Sequence, residues 1–212
     1  MSLKRTPTKI VCVGKNYALH ARELGTEVPP EPIIFLKPVS SLLASGETIR
    51  MPPWAGRVDY EGEIALVVGK RARRVAREDA WDVVDAIVPL NDVTARDLQR
   101  RDGQWTRAKS FDTFCPVGEP VPAADVDVGE LEVITRVNGG VRQHAHVNTM
   151  VFPIPELVRF ITAVMTLEPG DLIATGTPDG IGPLAPGDRV EVEIPGVGTV
   201  ANPVAVEEVD SS

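Results

Sequence analysis

Glu61 and Glu63 stand two apart in DYEGEIALVVGK, and on a strand the two-residue period turns both carboxylates to one face. The segment runs on as IALVV, which puts the pair at the mouth of an apolar core. There the carboxylates repel each other and each is poorly solvated; one proton or one cation relieves both penalties. Ligation by oxygen alone suits Mg²⁺, Mn²⁺ or Ca²⁺ better than Zn²⁺, and Mg²⁺ keeps positions for water or substrate. Asp92 ends the strand-like run AIVPLND and is able to converge on the same spot. Spacing alone does not show that convergence, and a solvated sheet face is the other reading of E-x-E.

Other chemistry-bearing residues fall into smaller groups. His20 and Glu23 are three apart in NYALHARELG and share a helix face, so the carboxylate can fix the imidazole tautomer and raise its basicity. Such a histidine can act as a general base on water, although a surface His beside a helical Glu has the same pattern. Lys109 in TRAKSFD, and Arg96 with Gln99 in ARDLQ, can hold a carboxylate or stabilise an enolate; solvated surface is the alternative for each. ATGTPDGIGPL lacks the Gly-Lys-Ser/Thr of a nucleotide loop; Thr177 and exposed N–H groups there can cup a small carboxylate, or the stretch is a plain turn. His144 and His146 alternate on a strand with no Cys or third His nearby, which reads as a solvated hairpin edge and not zinc. Cys12 and Cys115 read as small buried hydrophobes and form no disulfide framework.

The elements that must position these groups are mostly strands. KIVCVG, IIFLKP, DYEGEIALVVGK and AIVPLNDVT read as strands, and the helix over Asn16–Leu24 is closed by Gly25. Ala76–Asp85 reads as helix, with Trp81, Val84 and Val88 on one face, and ARDLQRR as a short helical turn. LEVITRV, the turn Asn138-Gly139-Gly140 and VRQHAHV make a hairpin. IPELVRFITAVMTL is an amphipathic helix with Pro155 in its first turn. DLIATGTP and the alternating pair RVEVEI and GTVANPVAV follow, and EEVDSS reads as a frayed tail. Strands outnumber helices without βαβ alternation, so the fold class is α+β, mainly β, in a single domain over 1–212.

Composition excludes several functions. A net charge of −8 leaves no basic surplus for nucleic acid, and no apolar run approaches the roughly 20 residues of a membrane span. The first hydrophobic run is too short for a signal peptide, so a soluble cytoplasmic protein is expected.

The blocks VGKNYALHARE, IIFLKP, VDYEGEIALVVGK, NDVTARDLQ, WTRAKSFDTFCPVG and DLIATGTPDGIGP, in this order, resemble the fumarylacetoacetate hydrolase family. Within it, the chain resembles the short acylpyruvase and oxaloacetate decarboxylase-like members. The resemblance implies a mixed β-sandwich roll of the C-terminal-domain type over 51–212, preceded by an N-terminal arm with a lid helix over 1–50, in a homodimer. It further implies Mg²⁺ or Mn²⁺ on Glu61, Glu63 and Asp92, His20 with Glu23 as the lid dyad, Lys109 as the active-site lysine, and Thr177 with Arg96 and Gln99 as substrate contacts. The implied reaction acts on a small anionic dioxo acid: hydrolytic C–C cleavage of an acylpyruvate-like 2,4-dioxo acid, or decarboxylation of oxaloacetate, through a pyruvate enolate. Isomerisation or hydration of 2-hydroxydienedioates in aromatic catabolism is the rival within the family. A non-catalytic binding protein is the remote one.

Overall fold

The computed structural model describes residues 5–208. The buried apolar run Ile10–Gly14 forms β1, and α1 (Ala18–Glu23) follows it after Asn16 and Tyr17. This helix is shorter than its composition suggests. Asn16 is taken out of it because its side chain donates to Phe152 O and Thr175 O and accepts from the Phe152 N–H. Four strands lead to the candidate site: β2 (Ile33–Lys37), β3 (Leu42–Ala44), β4 (Ile49–Met51) and β5 (Val58–Tyr60). The segment expected as an N-terminal arm thus supplies β1 to β4 to the two larger sheets.

The run DYEGEIALVV is not one strand. It breaks at Glu61, so that β5 belongs to a three-stranded sheet while β6 (Gly62–Val68) enters an eight-stranded one. Ala76–Asp85, expected as α-helix, is a 3₁₀ segment over Arg77–Val83 that turns directly into β7 (Val84–Asn91). Its buried residues, Ala80 and Val83, are three apart, the period of the tighter helix. Beyond β7 come β8 (Thr94–Ala95), α2 (Arg96–Asp102), α3 (Thr106–Lys109), β9 (Cys115–Val117) and β10 (Val121–Pro122).

The hairpin of β11 (Glu132–Val137) and β12 (Gly140–His146) turns at Asn138 and Gly139, both at positive φ (53° and 79°), as its two-residue turn requires. The expected amphipathic helix is α4 (Ile154–Val164), which buries Leu157, Val158 and Ile161 in one apolar cluster with Val133, Val192 and the β6 residues Ile64 and Leu66. Each such side chain contributes roughly 1.5–3 kcal/mol of burial. The chain closes with β13 (Leu172–Ala174), β14 (Gly182–Pro183), β15 (Arg189–Ile194) and β16 (Gly198–Val206). Of the tail expected to fray, Glu207 still donates its N–H to Met51 O, and the part from residue 209 lies outside the described residues.

The eight-stranded sheet runs β2-β1-β13-β6-β7-β9-β3, with β10 beside β7; the five-stranded one runs β12-β11-β15-β16-β4. Their inner faces pack together, which makes the fold a mainly β, mixed sandwich roll. β6 is buried on both faces, with Ile64 and Leu66 in one apolar cluster and Ala65 and Val67 in another. Its N-terminal end therefore delivers polar side chains into a dry place. Among the described residues, no helix is long and apolar enough to cross a membrane.

Candidate active site

The break at Glu61 builds the site. Glu61 donates its N–H to Asn91 Oδ1 (2.9 Å) and accepts the Asp92 N–H on its carbonyl (2.8 Å), a rung that continues the β6–β7 ladder past its end. Asp92 is thereby drawn beside the Glu61-Gly62-Glu63 segment. One carboxylate oxygen from each of Glu61, Glu63 and Asp92 lies within 4.8 Å of the others, and all three residues are buried. The structure brings together the trio whose convergence spacing alone left open.

Cations crowd around two of the three. Lys109 Nζ bridges Glu61 Oε2 (2.7 Å) and Asp92 Oδ2 (2.6 Å), and Lys37 Nζ donates to Asp92 Oδ1 (2.6 Å) and Val93 O (3.2 Å). Arg96 donates to Glu61 Oε1, to Asp59 Oδ2 (3.0 Å) and to Gln99 Oε1 (2.5 Å). Burial works to raise the Glu61 carboxyl, but Lys109 and Arg96 overturn that and hold it well below the usual carboxylate range. Burial works to lower the Lys109 ammonium, and Asp92 and Glu61 more than reverse it.

Glu63 differs. Its polar contact is the Gly176 N–H (2.7 Å), and no cation pairs with it directly among the described residues. Burial, reinforced by the charge of Asp92, pushes its carboxyl well above the ordinary value. This is the repulsion that a divalent cation relieves. The donor set is all oxygen, and the Lys109 ammonium spanning two of the carboxylates shows that positive charge is accepted there. The residues fit a hard divalent metal.

His20, Arg96, Gln99, Lys109 and Thr177 line one cavity of about 210 Å³ with the three carboxylates. His20 is 4% exposed. Its Nδ1 lies 3.4 Å from Glu23 Oε2, which leaves Nε2 for proton transfer. Burial lowers its pKa, against the upward pull of Glu61 and Glu23, which favours the neutral ring that a base requires. Glu23 also accepts the Gly180 N–H at 3.2 Å on each oxygen, tying α1 to the loop after β13. Lys109 is aimed by its short helix: the preceding Trp105 packs edge-on against Phe35 (5.2 Å), and the ammonium rests 4.9 Å from the Phe35 ring centre.

Thr177 reaches the cavity, yet its hydroxyl is engaged. Gln143 Oε1 accepts the Gly62 N–H (3.0 Å), which orients the amide, and its Nε2 donates to Pro178 O (2.9 Å) and Thr177 Oγ1 (2.8 Å). The hydroxyl proton of Thr177 therefore goes to Gly62 O (2.9 Å).

Sequence reasoning did not find Lys37, Asp59 or Gln143. Lys37 shares the inward face of β2 with Ile33 and Phe35, and a lysine at that alternation is a readable sign of a buried partner. Asp59 precedes Glu61 by two, the same period that linked the glutamates, and it grips Arg57 Nε (2.7 Å) as well as Arg96. Gln143 carries no local signal. The bland readings of the remaining candidates agree with the structure. His144 pairs with Glu132 (3.2 Å) and His146 with Glu130 (3.5 Å) on the hairpin surface. Both cysteines are buried, and burial pushes the Cys115 thiol up to about 12.

Fold and site together define a class: mainly β enzymes with a buried carboxylate triad suited to a divalent metal. Over residues 9–205 the chain matches the family model of the fumarylacetoacetate (FAA) hydrolase C-terminal domain, and it belongs to that family. It is 45% identical to the mitochondrial oxaloacetate tautomerase FAHD1 of Arabidopsis thaliana, over 91% of this chain and 89% of that one. The crystal structure of 2-hydroxyhepta-2,4-diene-1,7-dioate isomerase from Mycobacterium marinum superposes with a TM-score of 0.88 at 46% identity, covering 96% of this chain and 77% of that one. Fumarylpyruvate hydrolase from Pseudomonas aeruginosa, solved with Mn²⁺ and pyruvate, gives 0.87 at 33% identity, covering 94% and 90%.

Proposed function

We propose that the protein acts on small 2-oxo and 2,4-dioxo acids, cleaving an acylpyruvate-like C–C bond by hydrolysis or decarboxylating oxaloacetate, in either case through a pyruvate enolate. The observation that carries this reading is the convergence of Glu61, Glu63 and Asp92 in one cavity with His20, Arg96 and Lys109. In this reading the three carboxylates hold Mg²⁺ or Mn²⁺; when bound, the cation polarises the 2-oxo group and offsets the negative charge that develops on it.

The chain's own residues do the rest. Arg96, fixed by Asp59, and Gln99 hold the substrate carboxylate. His20, oriented by Glu23, takes a proton from water, whose oxygen bonds to the distal carbonyl carbon. Collapse of that adduct breaks the C–C bond, and the electron pair leaves on the pyruvate fragment as enolate. Lys109, charged and desolvated, stabilises that enolate, which a proton then converts to pyruvate. Decarboxylation reaches the same enolate by loss of CO₂ and needs no attacking water. Thr177 lines the cavity, and because its hydroxyl donates to Gly62 O, this reading gives it a place in the wall in preference to a direct hold on the substrate carboxylate. A cytoplasmic homodimer completes the proposal.

Tautomerisation is a second reading, favoured by the likeness to the Arabidopsis enzyme. His20 would then move a proton between carbon and oxygen of oxaloacetate without breaking a C–C bond. Turnover of acetylpyruvate and oxaloacetate with added Mg²⁺ or Mn²⁺, alongside the enol-to-keto absorbance change, separates these readings; inactivity in all three assays would sink the proposal. His20→Ala is expected to slow hydrolysis by about 10²–10⁴ and decarboxylation much less. Equal losses would refute the division of labour.

A further inference from the structure

We infer that Gln143 and Thr177 are positioning residues that form a closed hydrogen-bonded clamp on Gly62 and thereby set the affinity of the Glu61–Glu63 segment for its divalent cation. The inference rests on the reading that Glu61, Glu63 and Asp92 hold that cation.

Gly62 separates the two glutamates, so the peptide planes on either side of it decide where both carboxylates point. Its N–H goes to Gln143 Oε1 at 3.0 Å and its carbonyl accepts Thr177 Oγ1 at 2.9 Å. Gln143 Nε2 donates to that same hydroxyl at 2.8 Å, so Gly62, Gln143 and Thr177 close a ring in which every donor has one acceptor. Both side chains are buried, at 1% and 3% exposure, where leaving one of these groups unpaired costs most. Only glycine fits at this position: a Cβ on residue 62 would lie 2.0 Å from Thr135 Oγ1.

The clamp is part of a longer seam. Where the β13–β6 ladder ends at Ala174 and Ala65, the next three residues continue it with other bonds. Thr175 donates its N–H (3.1 Å) and hydroxyl (2.8 Å) to Ile64 O, Gly176 its N–H to Glu63 Oε2 (2.7 Å), and Thr177 its hydroxyl to Gly62 O. Gln143 adds the far side of the ring from β12, in the five-stranded sheet. The ligand-bearing segment is thus held from two sheets at once. Partners that orient ligands in this indirect way typically account for about 10–100-fold in metal affinity.

The test is Mn²⁺ binding by the purified chain without substrate, read by electron paramagnetic resonance of free Mn²⁺ and by calorimetry. Thr177→Val keeps the shape and removes the hydroxyl, and is expected to weaken Mn²⁺ by about 10–100-fold. Thr177→Ser restores the hydroxyl and should bind close to wild type. Gln143→Glu, as the carboxylate, keeps the volume and the acceptor for Gly62 but removes the donors to Thr177 and Pro178 O. Its added negative charge alone would tighten Mn²⁺ binding, whereas a broken clamp weakens it. Thermal unfolding of each variant checks that it is folded, and Gln143→Glu carries the test should Thr177→Val not fold. Unchanged Mn²⁺ affinity in Thr177→Val with a raised KM would overturn the inference in favour of a substrate contact, as would tighter binding by Gln143→Glu. Wild-type binding with unaffected variants removes the clamp alone; no binding by wild type removes the clamp and the proposed metal site together.

Discussion

The two ends of β13 each meet a buried carboxylate, and the two are treated in opposite ways. Asp171, just before the strand, is fully buried and richly supplied. It accepts the N–H of Thr8 (2.8 Å), Lys9 (3.1 Å) and Glu168 (2.8 Å), the Thr8 hydroxyl (2.7 Å) and the Lys9 ammonium. Burial alone would raise its pKa, but the Glu168 N–H, Lys9 and Thr8 outweigh that and hold it below the ordinary value. Glu63, reached from the other end of the strand through Gly176, is 1% exposed, has one N–H and faces Asp92. Its pKa moves up, by burial first and Asp92 second. The same chemical group is a staple where donors are plentiful and a demand for positive charge where they are withheld. Strongly displaced carboxyls of the second kind mark sites.

The contrast breaks most visibly at Glu63→Gln. The amide is neutral, as burial favours, and its oxygen can still accept the Gly176 N–H. Turnover of oxaloacetate with Mn²⁺ is expected to fall about a thousandfold or more, since several kcal/mol of charge stabilisation is lost. The melting temperature without metal should hold or rise, because a repulsive charge is gone. A clear drop in melting temperature would place Glu63 with Asp171 as a staple.

Lys37 tests the contrast from the other side, because it makes Asp92 a satisfied carboxylate while Glu63 is not. Lys37→Met removes the ammonium 2.6 Å from Asp92 Oδ1. Breaking a buried pair from one side is expected to cost about 3–5 kcal/mol in urea unfolding without metal. Saturating Mn²⁺ should recover part of that loss, as any ligand of the native state does. A variant as stable as wild type would mean that Lys109 alone satisfies Asp92.

The parts of this arrangement that were legible in the sequence are those set by local rules. The Asn138-Gly139 turn, the amphipathic α4 and the E-x-E spacing each follow from backbone preference or side-chain period, and the ordered family blocks supplied the convergence on Asp92. The 3₁₀ segment over Arg77–Val83 reads as α-helix in the sequence because Trp81 and Val84 mimic a helical face, while burial follows Ala80 and Val83. Glu61 hid a sheet switch, since nothing local says that a strand will change partners there. Gln143 has no local signal for a related reason: it bonds to Gly62 across 81 residues of chain, while its neighbours His144 and His146 lie on the outer face of the same strand.

Asp171→Asn gives the smallest and most local effect. The side-chain oxygen can still serve Thr8 and Lys9, but the amide N–H₂ then faces the Glu168 N–H and the Lys9 ammonium, donor against donor. The expected cost near pH 7 is about 1–3 kcal/mol, with turnover per folded molecule unchanged. The pH dependence gives the sign. Because the folded pKa is depressed, the carboxylate's contribution is complete above its unfolded value, about 4, and is lost as pH falls through the folded value. The gap between wild type and variant should therefore narrow on acidification, followed by urea unfolding from pH 7 downward. A gap that stays constant or widens would show that Asp171 acts through packing and not through charge, and the contrast with Glu63 would lose its electrostatic basis.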